Sequence, residues 1–167
     1  MKDMDELKGI SEESFKQGMR QFAAAVNVIT VKYDGIQDGL TATAVCSVSA
    51  LPPQLLICVH QEASAHELLL KSGKFGLNIL SSKQENIAKR FAGIDNSERE
   101  QRYNLGHWTQ LTSGSPILLD ALVGFDCEII NSITAGTHSI IIGHIVDVQY
   151  GDGAPLLYKD GKFIELE

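Results

Sequence analysis

The chain has 167 residues, of which 44% are hydrophobic and 21% charged, and its formal net charge is −7. This length favours a single domain with a real core, and the acidic balance argues against nucleic acid as a partner of the whole surface. The charged first ten residues do not resemble a signal peptide, and no run approaches the ~20 apolar residues of a membrane helix. We therefore expect one domain over 11–167, disorder or loose packing over 1–10, no membrane contact and a cytoplasmic location.

The first predicted element is a helix that begins at Ser11, because Glu12 and Glu13 suit the positive end of a helix dipole. Four apolar side chains recur at helical spacing: Phe15, Met19, Phe22 and Val26. This stripe predicts a helix that packs one face into the core.

A β-hairpin is predicted next. Residues 26–33 alternate as a strand, and Asp34-Gly35 has the chemistry of a turn. Residues 36–38 then lead back into a second strand.

The stretch over 39–53 predicts one strand with an unusual second face. One alternating set is apolar and is expected to face the core: Leu40, Ala42, Ala44, Cys46, Val48 and Ala50. The other set holds small hydroxyl side chains around one valine: Thr41, Thr43, Val45, Ser47 and Ser49. Such an uncharged face suits a flat polar ligand and equally suits close packing, so the pattern leaves both open. Pro52 and Pro53 end the strand because proline cannot donate to the ladder.

The middle of the chain predicts one buried strand and two capped helices. Residues 54–59 are continuously apolar, which indicates a strand buried on both faces that ends at His60-Gln61. Two S-x-x-E sequences, beginning at Ser64 and Ser82, predict helix caps, with a strand over 74–80 between the helices. Lys89 and Arg90 in the last turn of the second helix suit any helix end, and they could also hold a phosphate. Ser64 could likewise be a cap, an anion site or both.

The C-terminal half predicts further antiparallel strands. Residues 122–133 and 138–150 flank a turn, and Gly143 indicates a bulge in the second of these strands. Asp160-Gly161 turns a last hairpin. Seven or eight strands with three helices predict a mainly β fold, an antiparallel barrel with helical insertions. His138 begins a strand, either as a functional imidazole at the barrel mouth or as a surface residue beside the turn.

Several classes of site find no support. Cys46, Cys58 and Cys127 lie in apolar runs without a C-x-x-C pair, which predicts reduced core thiols. The histidines are scattered, so no metal site is expected. The chain lacks G-x-S-x-G, H-E-x-x-H, P-loop and G-x-G-x-x-G motifs, so nothing favours a serine hydrolase or a Rossmann enzyme.

Together these segments resemble the short-chain flavin reductases, the small components that supply reduced flavin to two-component flavin monooxygenases. The specific block is Gly39-Leu40-Thr41-Ala42-Thr43-Ala44, followed by Ser47-Val48-Ser49 and Pro52-Pro53. Weaker blocks follow in the same order, over 75–80, 89–93, 136–138, 142–145 and 155–158, so that the resemblance covers nearly everything from Phe15 to Phe163.

The resemblance implies a mainly β FMN-binding split barrel, antiparallel and Greek-key-like with a few flanking helices, that forms a homodimer. It implies FMN or FAD as the flavin and NADH or NADPH as the hydride donor, with a flavin-dependent monooxygenase as a partner. The alternative is a flavin-binding electron-transfer protein on the same barrel that passes electrons to a protein or metal acceptor.

The resemblance also implies the roles of individual residues. Eight residues would border the flavin: Thr41, Ala42, Thr43, Ser47, Val48, Ser49, His60 and Gln61. Ser64 with Lys89 or Arg90 would hold its phosphate, and His138 would be the catalytic residue beside the nicotinamide. Where the family commonly has Gly-Asp-His, this chain has Gly136-Thr137-His138, and Thr137 supplies no carboxylate.

Overall fold

The computed structural model describes residues 9–166. Residues 1–8, which carry most of the expected N-terminal disorder, lie outside this range. The strands are β1 (Ala24–Ala25), β2 (Asn27–Tyr33), β3 (Ile36–Ala42), β4 (Val45–Ala50), β5 (Pro53–His60), β6 (Lys74–Ile79), β7 (Trp108–Gln110), β8 (Pro116–Leu118), β9 (Val123–Ala135), β10 (His138–Tyr150), β11 (Leu156–Lys159) and β12 (Lys162–Glu165). The helices are α1 (Glu12–Met19), α2 (His66–Ser72) and α3 (Glu85–Ala92), with 3-10 turns at Ser82–Gln84 and Arg99–Asn104.

Seven strands form one antiparallel sheet in the order β3-β2-β6-β9-β10-β5-β4. Its two edge strands, β3 and β4, are consecutive in the chain and only residues 43–44 connect them. Because so short a link cannot cross a flat sheet of this width, the sheet curls until its two edges meet at residues 43–44. The predicted mainly β antiparallel barrel with a few helices is therefore confirmed.

Two apolar clusters hold this barrel and its flanking elements together. Ile29, Ile57, Phe75 and Ile141 belong to the cluster inside the barrel, and all four are fully buried. Gly143 lies at a register shift of β10, as its sequence position predicted, and a Cβ there would meet the ring of Phe75. The second cluster packs α3 against the other side of the barrel wall.

The prediction of a single strand over 39–53 is wrong. The chain turns at Thr43, whose carbonyl accepts a hydrogen bond from Val45 N–H at 3.0 Å. The alternation changes phase there, because Val45 packs on the barrel core while Cys46 is exposed. Cys46 is therefore not the core thiol that its apolar surroundings predicted.

The strand over 54–59 was expected to be buried on both faces, and only one face is. In β5, Leu55, Ile57 and Val59 point into the barrel core, whereas the residues between them are partly exposed. A continuously apolar run predicts burial but does not show what covers each face.

The predicted cap at Ser64 is also wrong. The N-cap of α2 is Ala65, and no side chain caps that helix. The second predicted cap is shifted by one residue, because Ser81 rather than Ser82 opens the segment, with its N–H donating to Gln84 Oε1 at 2.9 Å. Both helices end at a glycine in left-handed backbone, α2 at Gly73 and α3 at Gly93.

The N-terminal helix departs furthest from its prediction. α1 ends at Met19 and buries none of its residues. Phe15, Met19 and Phe22 are 55%, 47% and 68% exposed, so the apolar stripe does not pack into the core of this chain. Val26, the last member of the stripe, lies beyond the helix and is fully buried.

Candidate active site

The corner between β3 and β4, at residues 43–44, has backbone N–H groups without a hydrogen-bond acceptor in the described part of the chain. Ala44 O accepts a hydrogen bond from Cys58 N–H at 3.0 Å, which ties the corner to β5. Among residues 9–166, no acceptor binds the N–H of Thr43 or of Ala44. Two backbone donors therefore face outward next to the Thr43 hydroxyl, as a polar planar ligand requires.

Three cavities meet at this corner, and Thr43 lines each of them. The helix cavity, about 630 Å³, lies between α1 and the outer face of β5. The hairpin cavity, about 310 Å³, lies between β3 and the β11–β12 hairpin, beside Ala92 at the end of α3. The mouth cavity, about 720 Å³, lies between β4 and the barrel interior. Cavities of roughly 300–1,000 Å³ are the size that binds small molecules.

His60 and His138 form a contact at the end of β5 and β10. They are paired across the two strands, and their ring centroids are 4.9 Å apart in an edge-on arrangement. His138 Nδ1 lies 2.9 Å from Thr137 Oγ1, and His60 Nδ1 accepts the N–H of Glu62 at 3.1 Å. The Nε2 atoms are therefore the ring nitrogens left for a ligand.

This histidine pair lies on the same side of the sheet as the helix cavity. Successive side chains of a strand point to opposite faces, so His60 shares the outer face of β5 with Leu56 and Cys58. Both of those residues line the helix cavity. Gln61, which follows His60, donates its backbone N–H to Thr137 O at 3.0 Å and so joins the two strand ends.

The remaining residues expected at the flavin have different surroundings. Thr41 Oγ1 donates to Ala88 O at 2.7 Å, so its hydroxyl fastens α3 to β3. Ala42 packs on the barrel core. Ser47 and Ser49 line the mouth cavity on either side of a β4 bulge, and Val48 between them is 45% exposed.

The cations expected at the phosphate already have partners. Lys89 Nζ lies 2.5 Å from Glu85 Oε1. Arg90 pairs with Asp95 and donates from Nη1 to Gln101 O at 2.9 Å. Hydrogen bonds from Ser97 and then from Arg90 lower the pKa of Asp95 to about 2. Arg90 consequently anchors the segment after α3 at neutral pH.

Sequence reasoning missed a buried charge cluster next to these cations. The Asp38 side chain is 0% exposed and forms ion pairs with Arg102, at Oδ1, and with Arg99, whose Nε lies 2.8 Å from Oδ2. Arg102 also donates to Ser64 Oγ at 3.2 Å and to Gly39 O at 2.8 Å. The available signal was the carboxylate of Asp38 inside a predicted hairpin strand, because a carboxylate at a buried strand position needs a partner.

Tyr103 completes this cluster and fixes β3 from the outside. Its hydroxyl donates to Asp38 O at 2.6 Å. Burial, and then the charge of Asp38, raise the pKa of Tyr103, so the hydroxyl keeps its proton and its hydrogen bond. The strand that leads to the corner is therefore held by Asp38, Thr41 and Tyr103 together.

Within the described part of the chain, no cluster of three or more His, Cys, Asp or Glu side chains is arranged to hold a metal ion. Of the helices between residues 9 and 166, none has the length and apolar character needed to cross a membrane.

Comparison with known proteins gives consistent matches along the whole chain. Residues 19–167 match the family described as "Flavin reductase like domain". The protein named "FMN reductase (NADH) RutF" from Pseudomonas syringae pv. syringae (strain B728a) is 35% identical over 156 residues, which are 93% of this chain and 86% of that protein. The structure of the flavin reductase PheA2 in its native state is 32% identical with a TM-score of 0.87, over 95% of this chain and 99% of that one. BorF, the flavin reductase component of a bacterial two-component tryptophan halogenase, is 30% identical with a TM-score of 0.85, over 93% and 98% of the two chains.

Proposed function

The chain belongs to the flavin reductase-like family, and we propose that it transfers hydride from NADH to FMN bound at the corner between β3 and β4. The single observation that carries this proposal is the corner itself. Three cavities converge there on Thr43, and the N–H groups of Thr43 and Ala44 are open. FMN and NADH are chosen because the similar RutF protein is named an FMN reductase that uses NADH.

The residues at the corner fit an isoalloxazine ring. The ring needs hydrogen-bond donors for its carbonyl edge and an apolar surface for its face. Thr43 and Ala44 offer the donors, and the mouth cavity, with Leu77 and Phe125 in its lining, offers the apolar surface. Ser47 and Ser49 add hydroxyl groups at the rim of that cavity, where they suit the ribityl chain.

A bound flavin supplies the hydride-accepting chemistry, and the protein supplies placement and electrostatics. His138 would hold the nicotinamide, because Nε2 is its free ring nitrogen and Thr137 Oγ1 fixes the ring through Nδ1. His60 packs edge-on against His138 and keeps it in place. Gln61 joins the two strands that carry these histidines.

The phosphate group of bound FMN would extend from the corner toward α3. The hairpin cavity leads from Thr43 to Ala92 and Ile94, directly after Lys89 and Arg90. Ser64 and Arg102 lie on the same side of β3, since Arg102 contacts both Gly39 and Ser64. Lys89 is the cation best able to move toward a phosphate, because it is 45% exposed and its partner Glu85 lies on its own helix.

We further propose a homodimer that covers the middle of the outer face of β9 and β10. Ile133 is 48% exposed, and Ile140 and Ile142 are only partly buried on this face, where Ile140 pairs with Ile133 across the two strands. A contiguous apolar sheet face without charges is what a second copy buries.

The reduced flavin would pass to a separate flavin-dependent monooxygenase. Support comes from the similarity to BorF, which is named the reductase component of a two-component enzyme. The open corner also supports it, because a flavin that enters from solvent can leave the same way.

Anaerobic mixing of the purified protein with FMN and NADH tests the proposed function. The visible absorbance of the flavin should disappear at a rate that rises with protein concentration, and NADH should react faster than NADPH. A protein that binds FMN yet leaves its absorbance unchanged with either nucleotide would instead be an electron-transfer flavoprotein of the same fold.

A further inference from the structure

FMN and FAD differ only beyond the flavin phosphate, where FAD carries an additional adenosine monophosphate group. In the proposed function, this phosphate lies at the end of the hairpin cavity next to α3. A site that discriminates between the two flavins therefore has to do so with the residues at that end, either by attracting the additional group or by rejecting it.

Ile94 lies at this end of the hairpin cavity. It follows Gly93, whose left-handed backbone ends α3, and it lines the cavity together with Ala92. The N–H of Ile94 donates to Lys89 O at 3.2 Å, so its backbone is fixed to the last turn of the helix. Its side chain is 61% exposed, and it therefore lies at the opening of the cavity. An aliphatic side chain there offers a nucleotide neither a charge nor a hydrogen bond.

The carboxylate of Asp95 fixes the turn over residues 94–97. Arg90 pairs with this carboxylate and donates from Nη1 to Gln101 O at 2.9 Å. The same carboxylate accepts hydrogen bonds from Ser97 N–H at 3.1 Å and from Ser97 Oγ at 2.6 Å. The side chains of Arg90 and Asp95 are only 19% and 24% exposed. Because a ligand would have to break these bonds to displace the turn, Ile94 is held at the opening of the cavity.

The charges of this segment are unfavourable for a second phosphate. Three of the residues from 94 to 100 are acidic, and the single cation among them is Arg99. Arg99 pairs with the buried Asp38, with 2.8 Å between Nε and Oδ2. FMN would end before this segment, whereas the anionic half of FAD would meet its carboxylates. Like charges brought together in this way oppose binding.

We propose that Ile94 and the Arg90–Asp95 pair restrict the bound flavin to FMN. Ile94 blocks the path past the flavin phosphate, and Asp95 both fixes the turn and balances the guanidinium that a second phosphate would need. The inference rests on the proposed function for the position of the flavin phosphate. It adds which residues of this chain set the choice between the two flavins.

Calorimetric titration of the flavin-free protein, with FMN and with FAD separately, tests the inference. The wild type should bind FMN at least tenfold more tightly than FAD. Ile94→Ala should lower the Kd for FAD at least fivefold and leave the Kd for FMN unchanged, because it opens the path without touching the phosphate. Asp95→Ala should also lower the Kd for FAD at least fivefold, because it releases the turn and the Arg90 guanidinium. Circular dichroism checks that both variants are folded.

Two controls match these substitutions. Leu119→Ala removes a side chain that is 45% exposed and lines none of the three cavities. Glu67→Ala removes the acid of an exposed ion pair on α2. Both should keep the Kd values of the wild type for the two flavins.

Equal Kd values for FMN and FAD in the wild type, or a wild-type Kd for FAD in either variant, would overturn the inference. A change in FMN binding alone would do so as well, because these residues would then contact the phosphate and not exclude the larger flavin. Failure of the proposed function would appear separately, as a wild type that prefers FMN but does not reduce it with NADH.

Discussion

Thr41 and Thr43 lie two positions apart in the same hydroxyl-rich stretch, yet their side chains have different surroundings in the structure. Thr41 donates to Ala88 O and holds α3, whereas Thr43 is exposed and lines three cavities. Their small polar character was readable from the sequence. The corner at residues 43–44, which gives the two side chains different surroundings, could not be read from the sequence, because it arises from the pairing of β3 and β4 with other strands.

Thr43→Arg should abolish FMN binding, because the long cationic side chain would fill the point where the three cavities meet. The measurement is the Kd for FMN by fluorescence quenching, with circular dichroism as the check on folding. Thr134→Arg is the matched control, since Thr134 is exposed on β9 and lines none of the three cavities. An unchanged Kd in a folded Thr43→Arg protein would place the ligand elsewhere.

Asp38→Asn should lower the free energy of unfolding by about 3 kcal/mol, because it leaves Arg99 and Arg102 without their shared carboxylate. This value is at the low end of the usual cost of removing one partner from a buried ion pair, since the Arg99 side chain is 36% exposed. Urea denaturation measures the change. Glu67→Gln is the control, because its pair with Lys71 is exposed and its loss should leave the unfolding curve unchanged. Equal curves for both variants would mean that the cluster around Asp38 does not stabilise the fold.

At the scale of elements, the periodicity of the sequence located most helices and strands but not what covers them. β10 (His138–Tyr150) has the bounds that its alternation predicted. The stripe of α1 and the outer face of β5 were expected in a core, yet both are open in the single chain. The spacing of apolar residues predicts that a face is buried. It does not show whether that face is covered by the chain's own core, by a ligand or by a partner.

Gly39→Ala should destabilise the contact between β3 and α3. A Cβ at this position would collide with Ile29 O and lie 2.8 Å from Phe91 Cε1, so the strand or the helix has to shift. We expect a loss of about 1–3 kcal/mol, as for other overpacked sites, measured by urea denaturation.

Gly18→Ala is the matched control for this substitution. A Cβ at Gly18 meets nothing within 4 Å, and the residue lies inside α1. Alanine there should leave stability unchanged or raise it by up to about 1 kcal/mol. A Gly39→Ala protein as stable as Gly18→Ala would show that the β3–α3 contact is loosely packed.

For the molecule as a whole, the family and the barrel could be predicted because the resemblance covers the chain in one continuous order, and both are confirmed. Only part of the candidate site could be read from the sequence. The stretch over 41–49 and the histidines His60 and His138 were predicted there and lie at or near the corner in the structure, whereas Asp38 and Arg102 were not predicted. Those two residues are 64 positions apart, and only the folded chain brings them together.

Ile142→Glu should convert the proposed homodimer into a monomer, because it places a carboxylate in the middle of the apolar outer face of β10. Light scattering measures the molar mass. Ile36→Glu is the control, since Ile36 is 52% exposed in the β2–β3 hairpin, away from that face. A wild type and an Ile142→Glu variant of equal mass would exclude this face as the dimer contact.

A crystal structure of the complex with FMN would show where the flavin binds. We expect the isoalloxazine ring against the corner, with ring oxygen or nitrogen atoms within hydrogen-bond distance of Thr43 N–H and Ala44 N–H. Density for the flavin at another surface, with this corner filled by solvent, would mean that the corner between β3 and β4 is not the flavin site.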